Sequence, residues 1–201
     1  MSLLASRRVM LYLAAGLAGL AALPASAADP AADLVEKASS IVIEVVKTKT
    51  GAEREAGIRQ VLQQYFDLAA MGRAALGTHW TQATADQRQR YLKAVAEAEA
   101  HSYSERFGQY GGQLLTIDKV SPRPNGGSQV DSRLSQKKKE DPPVKIQWEV
   151  RDTGQGPRIV DVKVEGVSMV MTRRTDFNSY IQNHGGQIDA LISELEARAT
   201  K

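Results

Sequence analysis

Few residue types that carry out chemistry occur in this sequence in a useful arrangement. The three histidines, His79, His101 and His184, fall in three different predicted elements. A surface or helix-terminal position is favoured for each over a metal-binding or catalytic role. The chain contains no cysteine, and it lacks the motifs for a serine nucleophile, a phosphate-binding loop or a dinucleotide. We therefore predict no catalytic residue, no metal site and no cofactor.

Two groups of charged residues remain as candidate sites. Asp161 and Glu165 lie on the polar face of a predicted strand, so solvated side chains are favoured over a pair of carboxylates for acid–base chemistry. The run Lys137-Lys138-Lys139 could dock anionic headgroups or an acidic partner. Because Glu140 and Asp141 follow at once, a solvated hairpin loop is the favoured interpretation of that run.

The composition excludes several classes of protein. Hydrophobic residues make up 42% of the 201 residues and charged residues 24%, which is usual for a soluble globular domain and excludes wholesale disorder. Only 5% of the residues are aromatic, which argues against a stacking platform for single-stranded nucleic acid. We expect no nucleic-acid partner.

The N-terminus has the pattern of a signal peptide, residues 1–27. Arg7 and Arg8 precede an apolar run, and Ala25-Ser26-Ala27 supplies the small residues of a cleavage site. The run is shorter than the roughly 20 residues that span a membrane, so cleavage is favoured over a retained anchor. The paired arginines fit either general secretory or twin-arginine export. Both routes place the mature protein outside the cytoplasm.

The rest of the chain, residues 28–201, is predicted to form one domain with a sizeable core. The signal peptide removes two arginines and no acidic residue. The mature chain is therefore close to neutral, although the pI of the full chain is about 9.1. A general attraction to nucleic acid or to an anionic membrane is not expected from such a charge.

Hydrophobic spacing of three and four residues predicts helices from Asp33 to about Gly112 and again in the C-terminal stretch. Gly72 and Gly77 are expected to interrupt the first stretch. Thr84 and Gln87 form a predicted capping box that opens a long helix to about Phe107.

Between these helical stretches the period changes to two. Four segments alternate apolar and polar residues, and the clearest carries Val144, Ile146, Trp148 and Val150 on one face. Short turns join the segments, which predicts an antiparallel meander with one wet and one buried face. Helices before and after such a sheet indicate an α+β fold.

Several motifs together resemble a known family. Val164-Glu165-Gly166-Val167-Ser168-Met169 is followed by Thr172-Arg173-Arg174-Thr175-Asp176-Phe177. Further matches along the chain are Phe66-Asp67, Ala75-Leu76-Gly77, Trp80, Tyr91, the strand with Trp148, and Gly185-Gly186. Their order and spacing resemble the periplasmic lipid-carrier family of the Mla and toluene-tolerance ABC transport systems, over roughly residues 33–197.

The resemblance implies a four-stranded antiparallel sheet wrapped by N- and C-terminal helices around an apolar cavity. It implies a periplasmic carrier, not an enzyme, that shuttles phospholipid between the outer membrane and an inner-membrane ABC transporter. The expected partners are that transporter and an outer-membrane lipoprotein complex, and we expect a monomer. The residues chosen to line the cavity are Tyr65, Phe66, Met71, Tyr103, Phe107, Val144, Ile146, Trp148, Val160, Val162, Val164, Val167 and Met169.

Alternatives remain open at this point. Each residue chosen as cavity lining could equally be ordinary core. The cargo could be another membrane lipid such as a hopanoid, because an apolar cavity selects shape and volume more than identity. The chain could also be a non-carrier assembly factor of the cell envelope with a solid core. A further alternative is an enzyme built on an α+β cavity, which would need an inward-facing acid–base pair that the sequence does not show.

Overall fold

The computed structural model describes residues 29–108, 112–124, 126–135, 141–154 and 156–199. The predicted signal peptide and the lysines at 137–139 lie outside the described residues. The elements in chain order are α1 (Pro30–Thr48), α2 (Gly51–Tyr65), α3 (Leu68–Leu76), α4 (His79–Gln82), α5 (Ala85–Phe107), β1 (Leu115–Pro122), β2 (Ser128–Leu134), β3 (Val144–Asp152), β4 (Pro157–Val164), β5 (Val167–Ser168), α6 (Met169–Asn183) and α7 (Ile188–Arg198). The fold is α+β, as predicted.

Four of the described helices, α1, α3, α5 and α6, begin where a side chain caps their first amides. The Asp29 carboxylate accepts a hydrogen bond from the Ala31 amide at 2.9 Å, with Pro30 at the first helical position. The predicted capping box of α5 is confirmed, since Thr84 Oγ1 accepts from the Gln87 amide while the Gln87 side chain accepts from the Thr84 amide.

One predicted helix break is wrong. Gly72 lies inside α3, where its carbonyl accepts the Tyr91 hydroxyl at 2.9 Å. A Cβ at Gly72 would lie 2.8 Å from Leu92 Cδ2, so the glycine allows α3 and α5 to approach closely. Gly77 does end α3, with a positive φ of 60°.

The sheet is antiparallel in the order β1-β2-β3-β4-β5. The first four strands are those of the predicted meander, and β5 adds two residues through the pair Val164 and Val167. Met169, one of the residues chosen to line the cavity, is not part of the sheet and begins α6. That helix starts because Ser168 Oγ and the Asp161 carboxylate accept hydrogen bonds from its first amides.

A β-bulge changes which residues of β4 face inward. Trp148 pairs with Val162, whereas Val150 pairs with Ile159, and the register shifts between these two pairs. Strict alternation predicts that Val160 lies on the same face of the sheet as Val162. Instead, Val160 lies at the bulge and has no partner in β3. Ile159 takes the inward position and is completely buried.

The buried side chains form three clusters. A helical core joins α3, α5, α6 and α7 around Tyr91, Phe177 and Ile192. A second cluster packs the N-terminal half of α1 and the end of α2 against the sheet. A third joins α2 and α5 through Ile58 and Ala100 and includes the C-terminal half of α1.

Candidate functional site: the inner face of the sheet

One face of the sheet is apolar across neighbouring strands. Ile146 on β3 pairs with Val164 on β4, and Trp148 pairs with Val162, so these side chains form two adjacent rows on one face. Val144, two residues before Ile146 on β3, lies on the same face in the next row, opposite Leu134 of β2. We call these five residues the open face.

The one buried polar side chain on this side of β2 is fully used within the sheet. Ser132 Oγ accepts a hydrogen bond from Trp148 Nε1 at 2.9 Å and donates one to the Ile146 carbonyl, also at 2.9 Å. The first bond satisfies the indole N–H and orients the Trp148 ring towards β2. The Ser132 hydroxyl and the Trp148 indole N–H both have hydrogen-bond partners within the sheet, so they add no unpaired polar group to this face.

The two ends of this sheet face are buried to different degrees. Val150 and Ile159, at one end, are at most 3% exposed and pack in the cluster that contains Leu34 and Val35 of α1. Val130, the partner of Trp148 on β2, belongs to the same cluster and is also completely buried. All five residues of the open face, at the other end, are half-buried. Half-buried valine, isoleucine and tryptophan side chains on one continuous surface provide apolar area that the protein itself does not cover.

Helices α1, α2 and α5 bring further apolar side chains towards this face. Val42 of α1 and Phe66, at the end of α2, each pack against both the sheet cluster and the α2–α5 cluster. Tyr103 packs in the α2–α5 cluster, and its ring stacks on that of Phe107 with 5.7 Å between centroids. The sheet and the helices therefore form a continuous apolar lining.

The Tyr103 phenol, near the C-terminal end of α5, remains in its neutral form. Burial raises the pKa of the Tyr103 phenol above its ordinary value, and the nearby Glu99 carboxylate adds to the shift. Glu99 itself is bound by the Arg173 guanidinium through contacts of 2.5 and 3.1 Å. That bidentate hydrogen bond raises the pKa of Arg173 and anchors α6 to α5.

The structure brings together most of the residues chosen from the sequence. Tyr65, Phe66, Trp148 and Val162 pack in the sheet cluster, and Tyr103 packs in the neighbouring one. The remaining members of the open face, Val144, Ile146 and Val164, lie in strand register with Trp148 and Val162.

The other choices lie at the margin of the open face or away from it. Val167, on β5, is 57% exposed, and Phe107 is 37% exposed. Met169 is half-buried at the start of α6, and Val160 is at the bulge. Met71 lies on α3 outside the three buried clusters.

Sequence reasoning missed several apolar residues of the same lining. Val42 was not chosen, although it lies on the helical stripe predicted for α1, because the stripe does not reveal which layer it contacts. Leu115 and Ile117 of β1 belong to the sheet cluster and carried the alternation that could have identified them. Ile159 could not have been found by alternation, because the bulge reverses its orientation.

The histidines have structural partners. His79 is buried, with Nε2 3.0 Å from Asn178 Oδ1. His101 Nδ1 lies 2.9 Å from Glu55, a partner that the linear spacing could not reveal. His184 caps α6 and stacks on Tyr180. No group of three or more metal-ligating side chains occurs within the described ranges.

Asp161 and Glu165 do not face each other as a catalytic pair. The Asp161 carboxylate accepts a hydrogen bond from the Val170 amide, and the Glu165 carboxylate accepts one from the Lys145 amide. Both therefore hold the chain where β4 turns into α6.

Two further recesses have mixed linings of charged and apolar side chains. One, of about 240 Å³, lies between α5, α6 and α7 and is lined in part by Glu99, Arg173 and Arg198. The other, of about 450 Å³, lies beside the start of α3 and includes Asp67 and Arg158. Apolar side chains also line both recesses, including Phe177 and Leu195 in the first and Phe66, one of the residues chosen from the sequence, in the second.

No helix in the described part of the chain is long and apolar enough to cross a membrane.

Comparison with known proteins agrees with the resemblance drawn from the motifs. A solved structure of a phospholipid-binding protein from Ralstonia solanacearum, in complex with a phospholipid, superimposes with a TM-score of 0.69. The sequences are 18% identical, and the match covers 84% of this chain and 96% of the Ralstonia chain. At this identity the superposition supports a shared fold. The family model described as MlaC protein matches residues 35–197, nearly all of the described chain, so this protein belongs to the MlaC family.

Proposed function

We propose that this protein, after removal of residues 1–27, is a periplasmic carrier of phospholipid. It moves the lipid between the outer membrane and an inner-membrane ABC transporter and covers the acyl chains with the open face and the facing helices. The observation that carries the proposal is the row of half-buried apolar side chains on β3 and β4 in a chain of the MlaC family. The phospholipid in the Ralstonia structure supports the same cargo class.

The energetics fit a carrier. Each methylene of an acyl chain that leaves a membrane for water costs about 0.8 kcal/mol. An apolar surface such as the open face can offset much of that cost without any reacting group. The polar face of the sheet serves solubility, since Gln129 and Gln147 both donate hydrogen bonds to Asp131 on that side.

Native mass spectrometry of protein purified from the cell envelope, followed by lipid extraction, tests the proposal. We expect one or more co-purifying phospholipids in a fixed ratio to protein. Hopanoid masses would identify the alternative cargo. A bare polypeptide that also fails to load from added vesicles would instead support an envelope factor with a solid core.

A matched pair of variants locates the lipid. Val162→Glu places a charge on the open face, and Lys163→Glu places the same side chain on the opposite face of the same strand. We expect Val162→Glu to lose bound lipid because a carboxylate next to alkyl chains is unfavourable. Lys163→Glu should retain it. Equal lipid content in two folded variants would show that the open face does not bind the lipid.

A further inference from the structure

Three arginines contact the same short segment of the helical layer, which is the part of the protein formed by α3 to α7. None of them has an acidic partner among the described residues. Arg73 of α3, Arg88 of α5 and Arg174 of α6 all lie against the short segment that runs from Gly77 to Thr81. We call these three residues the arginine corner.

The corner is held in place by specific contacts. The guanidinium carbons of Arg73 and Arg88 lie 5.2 and 5.3 Å from the centroid of the Trp80 ring. Arg88 also donates hydrogen bonds to the carbonyl of Trp80 at 2.9 Å and to that of Thr81 at 3.4 Å. Both guanidiniums are therefore held within cation–π distance of the same ring.

Gly77 brings the third arginine to the same segment. A Cβ at this position would lie 2.7 Å from Arg174 Nε, so the glycine leaves room for that guanidinium as well as providing the positive φ. Arg73 and Arg174 are both exposed. Their charged ends are thus available to another molecule.

Two other arginines of the helices are neutralised within the chain. Arg59 pairs with Glu55 and Glu97, and Arg173 pairs with Glu99. Like charges held together without counter-charges do not favour folding, and mobile side chains would reduce their repulsion. The contacts with Trp80 and its neighbours therefore hold an excess of positive charge at the corner that the described carboxylates do not neutralise.

We propose that the arginine corner is a docking surface for an acidic protein surface. A guanidinium fork matches a carboxylate bidentately, and stacking on Trp80 fixes the orientation of Arg73 and Arg88 before contact. A positioned fork loses less conformational entropy on binding than a free one. The partner is thus a folded protein that presents carboxylates to this corner.

An anionic membrane fits the corner less well than a protein. Recognition of anionic lipid surfaces usually uses clusters of four to eight basic residues, whereas the corner has three.

The position of the corner relates it to the open face. Met171 is 53% exposed one helical turn before Arg174, and Val167 lies just beyond it on β5 next to Val164. A partner on the arginine corner would therefore stand beside the end of the sheet where the open face lies. This step rests on the proposed function, because it gives the partner a role in lipid transfer.

The test measures binding to purified membrane complexes. Lipid-loaded protein is titrated against the inner-membrane transporter complex and the outer-membrane lipoprotein complex of the same cell, and separately against phosphatidylglycerol vesicles. Arg73→Glu/Arg174→Glu reverses two exposed charges of the corner. Lys37→Glu/Lys93→Glu makes the same change at two exposed lysines on α1 and α5.

We expect the arginine double variant to bind at least one complex about tenfold or more weakly, and the lysine variant to bind it normally. Arg73→Lys/Arg174→Lys should recover only part of the affinity, because lysine lacks the fork. Thermal unfolding checks that the variants are folded, and the single variant Arg73→Glu replaces the double one if it is not.

Unchanged binding of the folded arginine variant to both complexes, or no binding of the unaltered protein to either, would overturn the proposal. Loss of vesicle binding alone would assign the corner to a membrane and overturn it too. Lipid content, measured by native mass spectrometry on the same samples, separates this result from the proposed function. A lipid-free protein contradicts carriage, whereas a lipid-loaded protein that docks normally without the corner contradicts only the docking surface.

Discussion

The helical layer and the sheet use apolar residues in opposite ways. Around Ile192 the helices α5, α6 and α7 close completely, and Tyr91 and Phe177 meet edge to face with 6.1 Å between ring centroids. On the sheet, closure is complete only beneath the N-terminal half of α1. From Trp148 to Val144 the same face is left half-buried.

Because of this difference, we expect the helical layer to contribute most of the free energy that stabilises the fold. Close packing in that layer gains both transfer and dispersion energy, whereas each half-buried residue of the open face gains only part of its transfer energy. A carrier benefits from the division, because the surface that receives and releases its cargo is not the surface on which folding most depends. The same substitution should therefore have different consequences in the two regions.

Truncation in the helical layer should have the largest effect on stability. Ile192 is completely buried, so Ile192→Ala should lower the free energy of unfolding by about 2–5 kcal/mol. Denaturant unfolding measures the change. The folded variant should retain the lipid content of the unaltered protein, and loss of lipid from a natively folded variant would contradict the division between the two regions.

The matching truncation on the open face should cost less. Ile146 is already half-exposed, so Ile146→Ala in lipid-free protein should lower the free energy of unfolding by less than about 2 kcal/mol. Lipid binding should be weakened, since the variant removes apolar contact area. Chemical denaturation with and without lipid measures both effects. A loss of stability equal to that of Ile192→Ala would mean that the open face is ordinary core.

Removal of a cap from the helical layer should have a smaller effect. Thr84→Ala deletes the hydroxyl that accepts the Gln87 amide, which should lower the free energy of unfolding by about 1 kcal/mol. The change should appear in denaturant midpoints with an unchanged slope. Because the cap is remote from the open face, a change in lipid content per folded protein would contradict the assignment of that face.

The smallest effect expected is spectroscopic and leaves stability almost unchanged. The chain has two tryptophans, Trp80 in the helical layer and Trp148 on the open face. In a Trp80→Phe variant, lipid loading should shift the remaining emission to shorter wavelength because alkyl chains replace water beside Trp148. Trp148→Phe, which retains Trp80, is the matched control and should show little shift. The reverse result would place the cargo against the helical layer.

The local elements were largely predictable from the sequence. The capping box at Thr84, the alternation around Trp148 and the end of α6 at His184 depend on neighbours within a few residues. Those interactions are the same in any tertiary context. The predicted four strands accordingly appear at the expected places, with β5 as a short addition.

Errors arose where a distant part of the chain decides the local role. The sequence predicts a helix break at Gly72, but the glycine lies within α3, where the missing side chain leaves room for Tyr91 and Leu92 of α5. Val160 was placed inward, whereas the bulge in β4 gives the inward position to Ile159. Neither Leu92 nor the pairing of β3 with β4 is encoded in the residues adjacent to these positions.

The sequence by itself determined the α+β order of elements, the apolar identity of one sheet face and the motifs of the MlaC family. Each follows from local periodicity, caps or residue order. Only the tertiary structure decided which part of that face α1 covers and which part it leaves half-buried. It also decided that Arg73, Arg88 and Arg174 share one corner. These properties depend on contacts between elements that are far apart in the chain, which local patterns do not specify.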